Sequence, residues 1–368
     1  MSTRLLVPAL FLFVCAVFEA SSTAQTKTRI AIVGLDHDHV WELLHYIAAE
    51  PDAELVAIAE PRQNLIEKAK SQVPASVKFY AGGYIEMLDQ AKPEIVFITT
   101  ENDKHLEILR ECSKRHINVS TEKPMATNAA DALTMEQLAD NAGIKLMVNY
   151  WNAWTASTHE LERRVKAGEI GTVKKIVVQY GHQGPKEIGV SKEFGDWLYD
   201  PVKNGGGAIM DFGCYGAEMA LLLRGRPMRV FAVARKLKTD QHNQVDDDAT
   251  IYLDYPDATA VIEASWDWPY NMDRTYVFGS QGSLLSTRSD LFARDASAQG
   301  TPATPDGERV TLGAVPHELS NPIAYMIDRI RNNKPIEGPL SAKLNVGVME
   351  ILDAARESAR TGKVQELR

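Results

Sequence analysis

Cysteine is close to absent: the chain holds three in 368 residues, and one of them, Cys15, falls in the first apolar stretch. Cys112 and Cys214 lie in apolar helical or turn contexts, which excludes a disulfide framework and reads as two small buried hydrophobes. A basic block is missing too. The net charge of −9 is spread along the chain, so no cationic surface exists for phosphate backbones, and nucleic acid is excluded as a partner. The first 24 residues hold no twin arginine, and the chain shows no internal repeat and no long low-complexity segment. The apolar run Leu5–Phe18 is too short to favour a spanning helix. One further lack bears on function. In "RIAIVGLDHDHVWELL" (29–44), a strand turning into a helix, only the first glycine of a dinucleotide-binding turn is present; Asp36 and His39 stand where the second and third would be.

What remains is an ordinary globular composition, 45% apolar and 24% charged, over a length that suits two domains. Residues 1–24 read as a secretory leader: one arginine, the apolar run, then Ser22-Thr23-Ala24 with cleavage after Ala24. That implies a periplasmic or secreted protein, with no stable membrane insertion once the leader is cut. From 28 to 149, apolar β-branched runs ("RIAIVGL", "AELVAIAE", "PEIVFITT", "HINVST", "IKLMVN") alternate with helical stretches, 61–72, 83–90, 103–115 and 128–141. This predicts an α/β fold, a doubly wound parallel sheet of Rossmann type. From 150 to 368 the runs "RVFAVARKL", "DDATIYLDY", "ATAVIEASW" and "RTYVFGSQGSLLS" follow one another without helices, which predicts an α+β substrate domain built on a mostly antiparallel sheet. Helices are expected near 157–167, 217–223, 321–331 and 341–361. A sheet covered by helices on one face buries the other against a second copy, giving a homodimer or homotetramer.

In the opening turn Gly34 makes the tight bend. A carboxylate at Asp36 would oppose the phosphates unless it turns away, with Asp36 or Asp38 capping the helix and His39 donating to a phosphate. Glu60 ends the second strand, 21 residues after His39, where an acid accepts from the adenosine ribose hydroxyls. That favours NAD; Arg62 softens the preference and leaves NADP as the alternative. A metal site from Asp36, His37, Asp38 and His39 is disfavoured, because four consecutive turn residues cannot all point at one ion; no metal is expected.

Three later stretches go further. A strand ends in Thr100-Glu101-Asn102-Asp103-Lys104-His105; Glu122-Lys123-Pro124 follows; and Gly205-Gly206-Gly207 precedes Asp211-Phe212-Gly213-Cys214-Tyr215. These resemble, in order, the Thr-Pro-Asn-x-x-His turn (with Glu101 for the proline), the Glu-Lys-Pro signature and the glycine triplet of the glucose–fructose oxidoreductase/inositol dehydrogenase/MocA family. "VDDDATIYLDY", "IEASW" and "GSQGSL" look like its second domain. The resemblance implies an NAD(P)-dependent oxidoreductase acting on CH–OH groups of a sugar or polyol. It places the cofactor on Gly34, Asp36, His39, Glu60, Arg62, Thr100, Asn102, His105, Glu122 and Lys123, and the chemistry on Lys123, Tyr215 and Asp211. Tyrosine at 215, rather than histidine, is similar to the glucose–fructose oxidoreductase and dihydrodiol dehydrogenase branches. A free tyrosine titrates near 10, so it needs a neighbouring cation to serve as a base at neutral pH, a charge Lys123 would supply. Trp151, Asn152, His182 and Trp197, with Tyr150 and Trp154, are expected to line a substrate cleft, where aromatic faces suit a sugar ring. Trp266 and Trp268 either join them or pack the sheet. Outside the cytoplasm free nicotinamide is scarce, so the cofactor is expected to be tightly bound and restored in each cycle. Either a second sugar is reduced, or transient oxidation drives elimination from a glycoside. A non-catalytic ligand-binding protein on the same scaffold is the remaining alternative.

Overall fold

The computed structural model describes residues 26–239, 244–297 and 306–367; the expected leader at 1–24 lies outside the described residues. The first half holds β1 (Thr28–Val33), α1 (His39–Ala49), β2 (Ala53–Ala59), α2 (Gln63–Lys70), β3 (Lys78–Tyr80), α3 (Tyr84–Ala91), β4 (Ile95–Ile98), α4 (His105–Ser113), β5 (Asn118–Glu122), α5 (Ala129–Ala142) and β6 (Leu146–Asn149). The strands pair in parallel in the order β3-β2-β1-β4-β5-β6. The short apolar runs become strands because helices cover both faces of the sheet; all four residues of β4 are buried. Strand order reverses between β1 and β4, so the loops leaving β1, β2, β4 and β5 diverge around a crevice at their carboxyl ends. Gly34, Glu60, Thr100 and Lys123 all follow those ends.

The second half holds α6 (Ala156–Lys166), β7 (Val173–Gly181), α7 (Lys192–Leu198), α8 (Ala208–Asp211), α9 (Gly213–Arg224), β8 (Arg229–Arg235), β9 (Asp248–Asp254), β10 (Thr259–Ser265), β11 (Met272–Gly279), β12 (Gly282–Thr287), β13 (Leu291–Asp295), β14 (Glu308–Arg309), α10 (Pro322–Arg331), α11 (Ala342–Thr361) and β15 (Gln365–Glu366). Its nine strands run β14-β13-β12-β11-β7-β10-β9-β8-β15, antiparallel except for the β7–β10 pair. Helices α9 and α11 pack on one face. The other carries Phe231, Tyr252 and Phe278, each more than a third exposed.

Helix α11 ties the two sheets together. It packs against α5 as well as β8. Arg356 on α11 donates to the carbonyls of Thr127 and Gly205, so one guanidinium holds both the loop after Lys123 and the loop before Asp211. Helices α7 and α8 and the short strands β3, β13, β14 and β15 were not apparent in the sequence pattern. Helix α7 did carry a signal in Ser191, which accepts from the Phe194 N–H as its cap.

The expected caps of α1 do not form. Asp38 occupies the cap position without a side-chain cap bond; its carboxylate accepts from the Ser191 N–H at 2.7 Å. Asp36 turns to Arg62 instead. The first helical N–H, that of His39, is met by His37 Nδ1 at 3.2 Å.

Candidate active site

Gly34 begins the site. Its φ of +87° is open to glycine at little cost, and a Cβ there would lie 2.4 Å from Thr100 Cγ2 and 2.9 Å from the Thr99 carbonyl oxygen. A cavity of about 340 Å³ opens at the carboxyl ends of β1, β2 and β4, lined by Gly34, Asp36, Glu60, Arg62, Thr100 and Glu101. Glu60 is fully buried and accepts from the N–H groups of Leu35 (2.7 Å) and Arg62 (2.8 Å) and from the Arg62 guanidinium (3.1 Å). The same guanidinium donates to Asp36 at 3.1 Å and lies 3.6 Å from Glu101. A glycine that only glycine can fill, an acid at the end of β2 and a crevice at the strand-order switch fit a dinucleotide.

A second cavity, about 240 Å³, lies between the two sheets; His39, Lys123, Trp151, His182, Asp211 and Tyr215 are among its lining. Lys123 leaves the end of β5 and Asp211 ends α8, and their side chains form an ion pair with 6% and 11% of each exposed. The other Asp211 oxygen accepts from Trp266 Nε1 at 2.9 Å. Burial alone would raise the Asp211 carboxyl, but the Lys123 ammonium and the Trp266 N–H hold it below the usual carboxylate value. For Lys123, burial works against the charge and Asp211 outweighs it, so the amine stays protonated above its ordinary value.

Tyr215 stacks on Tyr180 at 5.0 Å between centroids and meets Tyr150 edge-on at 5.2 Å; the Lys123 amine lies 5.1 Å from its ring. Burial first, then the neighbouring acidic groups, Cys214 and Asp211 foremost, push the Tyr215 hydroxyl well above its ordinary value, because Asp211 has already taken up the lysine's charge. The hydroxyl therefore keeps its proton at neutral pH. His182 Nδ1 accepts from the Gly184 N–H at 2.9 Å, and burial lowers its pKa. The ring is neutral with its proton assigned to Nε2.

A third space, about 440 Å³, adjoins the second through His39, Trp151 and Arg288, with Trp154 on its wall. His39 Nδ1 meets Glu122 at 2.9 Å, and Glu122 accepts from Asn149 at 2.7 Å. Donor atoms of His37, His39 and Glu122 fall within 4.8 Å of one another. They are engaged among themselves, and Asp36 and Asp38 point elsewhere.

Comparison with known proteins gives the site its context. Residues 28–150 match the oxidoreductase family with the NAD-binding Rossmann fold, and residues 158–285 match the GFO/IDH/MocA C-terminal domain. The chain belongs to the Gfo/Idh/MocA family. It is an NAD(P)-dependent oxidoreductase. It is similar to a D-xylose 1-dehydrogenase (NADP(+)) of Haloferax volcanii, 28% identical over 78% of this chain and 84% of that one. It is also similar to a scyllo-inositol 2-dehydrogenase (NAD(+)) of Bacillus subtilis, 23% identical over 93% of this chain and 96% of that one. In fold it is similar to the aldose-aldose oxidoreductase of Caulobacter crescentus, with a TM-score of 0.79, 22% identity, and 93% and 100% of the two chains covered.

Of the residues expected to form this Gfo/Idh/MocA site, Gly34, Asp36, Glu60, Arg62 and Thr100 meet in the first cavity, and His39, Lys123, Trp151, His182, Asp211 and Tyr215 in the second. Glu122 lies just behind His39. Like Glu122, four more line neither cavity. Asn102 is buried and donates to Asn204, joining the two halves of the chain. His105 is turned inward at the start of α4, its Nδ1 on the Met125 carbonyl. Asn152 sits in a short turn after β6 that rotates it onto α9, where it donates to Glu218 at 3.1 Å. Trp197 faces inward from α7 and packs with Phe194 and Trp266, while Phe194 and Leu198 face the cavity. Tyr150 is likewise buried, its hydroxyl on Asn345.

Other contributors were missed: Glu101 beside Arg62, Tyr180 under Tyr215, and Arg288 lying 4.4 Å over the Trp151 ring. Only Trp266 carried a signal, as the last residue of "IEASW"; it is both core and the partner of Asp211. Trp268 stands against Gly181, outside the cavity lining.

Proposed function

We propose that this chain interconverts a secondary alcohol and a ketone on a sugar or polyol, with NAD held at the carboxyl edge of the parallel sheet. The observation that carries the reading is the buried Lys123–Asp211 pair facing a cavity beside Tyr215. Bound NAD supplies the hydride acceptor, and its reduced form the donor. Lys123, kept charged by Asp211, donates to the reacting oxygen and stabilises its negative charge. Tyr215 gives its proton to that oxygen as the ketone is reduced and takes it back as the alcohol is oxidised. The neutral His182 donates from Nε2 to a second hydroxyl, and Trp151, backed by Arg288, offers a face to the ring's C–H side. Asp36, Glu60 and Glu101 crowd the one guanidinium of Arg62, which disfavours a 2′-phosphate and selects NAD.

The leader reading makes the protein an exported one whose cofactor stays bound and is restored within each cycle, in a homodimer or homotetramer joined through the open sheet face. The test is to supply the protein, loaded with NAD, with pairs of sugars and polyols, and to quantify products by mass spectrometry. Matched amounts of one oxidised and one reduced product, without net reduced nicotinamide, support this reading. Net reduced nicotinamide from one substrate contradicts the closed cycle, and absence of turnover on any sugar or polyol contradicts the activity.

A further inference from the structure

We propose that Asp36 binds the dinucleotide as a neutral acid, giving its Oδ1 hydroxyl to a phosphate oxygen of the cofactor. The inference rests on the reading that the first cavity holds NAD, and concerns the residue that replaces the turn's second glycine. That glycine ordinarily lets phosphate oxygens approach the backbone. Here an acid 1% exposed lines the cavity instead.

Its two oxygens have unlike surroundings. Oδ2 accepts from Arg62 at 3.1 Å; Oδ1 is buried and finds no hydrogen-bond partner among the described residues. A buried charged oxygen without a donor is strongly disfavoured, whereas a buried hydroxyl on a side chain that lines a ligand cavity only awaits an acceptor. The charges around it point the same way. Glu60 from the end of β2, Glu101 from the loop after β4 and Asp36 itself share the guanidinium of Arg62; among the described residues the one further cation paired with this group is Lys203, 3.5 Å from Glu101. Lys104 and Glu107 sit on the same cavity wall and offset each other. Glu60 collects three donors and Asp36 one, so Asp36 is the acid least supported as an anion. Burial, then the charge of Glu101, outweigh Arg62 and raise the Asp36 carboxyl to about 8. A phosphate oxygen at Oδ1 would accept the proton's hydrogen bond and stabilise the acid form further.

Binding of this kind is linked to the proton. NAD affinity holds level below the pKa of Asp36 and weakens about tenfold per pH unit well above it, an about 50-fold loss from pH ~8 to pH ~10. The experiment is a titration of the full chain with NADH, followed by fluorescence at a series of pH values, for wild type and Asp36→Asn. The amide keeps a donor and cannot ionise. It is expected to bind within a few-fold of wild type at neutral pH and to lose the alkaline dependence, while Asp36→Ala binds weakly throughout. A wild-type affinity that stays level to pH ~10, or an equal alkaline loss in Asp36→Asn, overturns the proposal and leaves the cofactor reading standing. Folded wild type that binds no NADH at any pH overturns both. Should Asp36→Asn fail to fold by its melting curve, the wild-type pH series decides alone.

Discussion

The pair Lys123–Asp211 yields the most demanding prediction. Both side chains are about nine-tenths buried, so water screens little of their attraction and supplies little relief when one partner is lost. Replacing Lys123 by Met leaves Asp211 with the Trp266 N–H and the neutral His182; replacing Asp211 by Asn keeps an acceptor for Trp266 but strands the ammonium. Each single change is expected to cost about 3–5 kcal/mol, the range for breaking a buried pair. The double variant removes both charges together and is expected to cost less than the sum by about 2–3 kcal/mol. The assay is urea unfolding of the four proteins followed by tryptophan fluorescence, with an unchanged m value showing that the same surface unfolds. Additivity within about 0.5 kcal/mol would show that the two charges do not depend on each other, and the assigned role of Asp211 in keeping Lys123 charged would fall.

Other outcomes follow from the same geometry. Glu218 is fully buried, and burial, against one donor from Asn152, raises it from 4.5 to about 8. Its folded value lies above its unfolded one, so its contribution is fully present below pH 4.5 and lost as pH rises through about 8. Glu218→Gln is therefore expected to gain up to about 3 kcal/mol over wild type at neutral pH and little at pH ~4.5, read by unfolding at both; equal shifts at both would refute this. Tyr215 is held above its ordinary value, so ketone reduction is expected to stay level from neutral to mildly alkaline pH while alcohol oxidation keeps rising. Tyr215→Phe should lower turnover about 10²–10⁴-fold without changing NADH affinity; a neutral inflection that vanishes in this variant would contradict a raised hydroxyl. Gly34→Ala sets a Cβ 2.4 Å from Thr100 Cγ2 at a positive φ, and NADH titration should show at least an about tenfold weaker complex.

What the sequence reveals divides along physical lines. Strands β1, β2, β4 and β6 were legible because a strand buried on both faces is mostly apolar, whereas β5 buries the polar Ser120, Thr121 and Glu122; Gly34 and Glu60 were legible because their places follow from where such strands end. Lys123 and Asp211 are 88 residues apart and His39 and Glu122 are 83 apart, so motifs could nominate them but not pair them. The surroundings of Tyr215 were not legible for that reason: they depend on whether the lysine is already paired. Asn152 and Trp197 were misplaced because they sit on short helical turns, where a rotation of a fraction of a turn exchanges cavity for core. Asp36 was read as turning away from the cofactor; it turns only half away, one oxygen to Arg62 and the other left bare.

On this reading the altered "GLDHDHV" turn still cradles a dinucleotide. Its most direct test is to purify the protein from Gln25 onward without added cofactor, denature it and identify the released nucleotide by mass spectrometry. Recovery of NAD(H) near one per chain is the predicted result. No nucleotide, and no binding when NAD is supplied, would contradict the account.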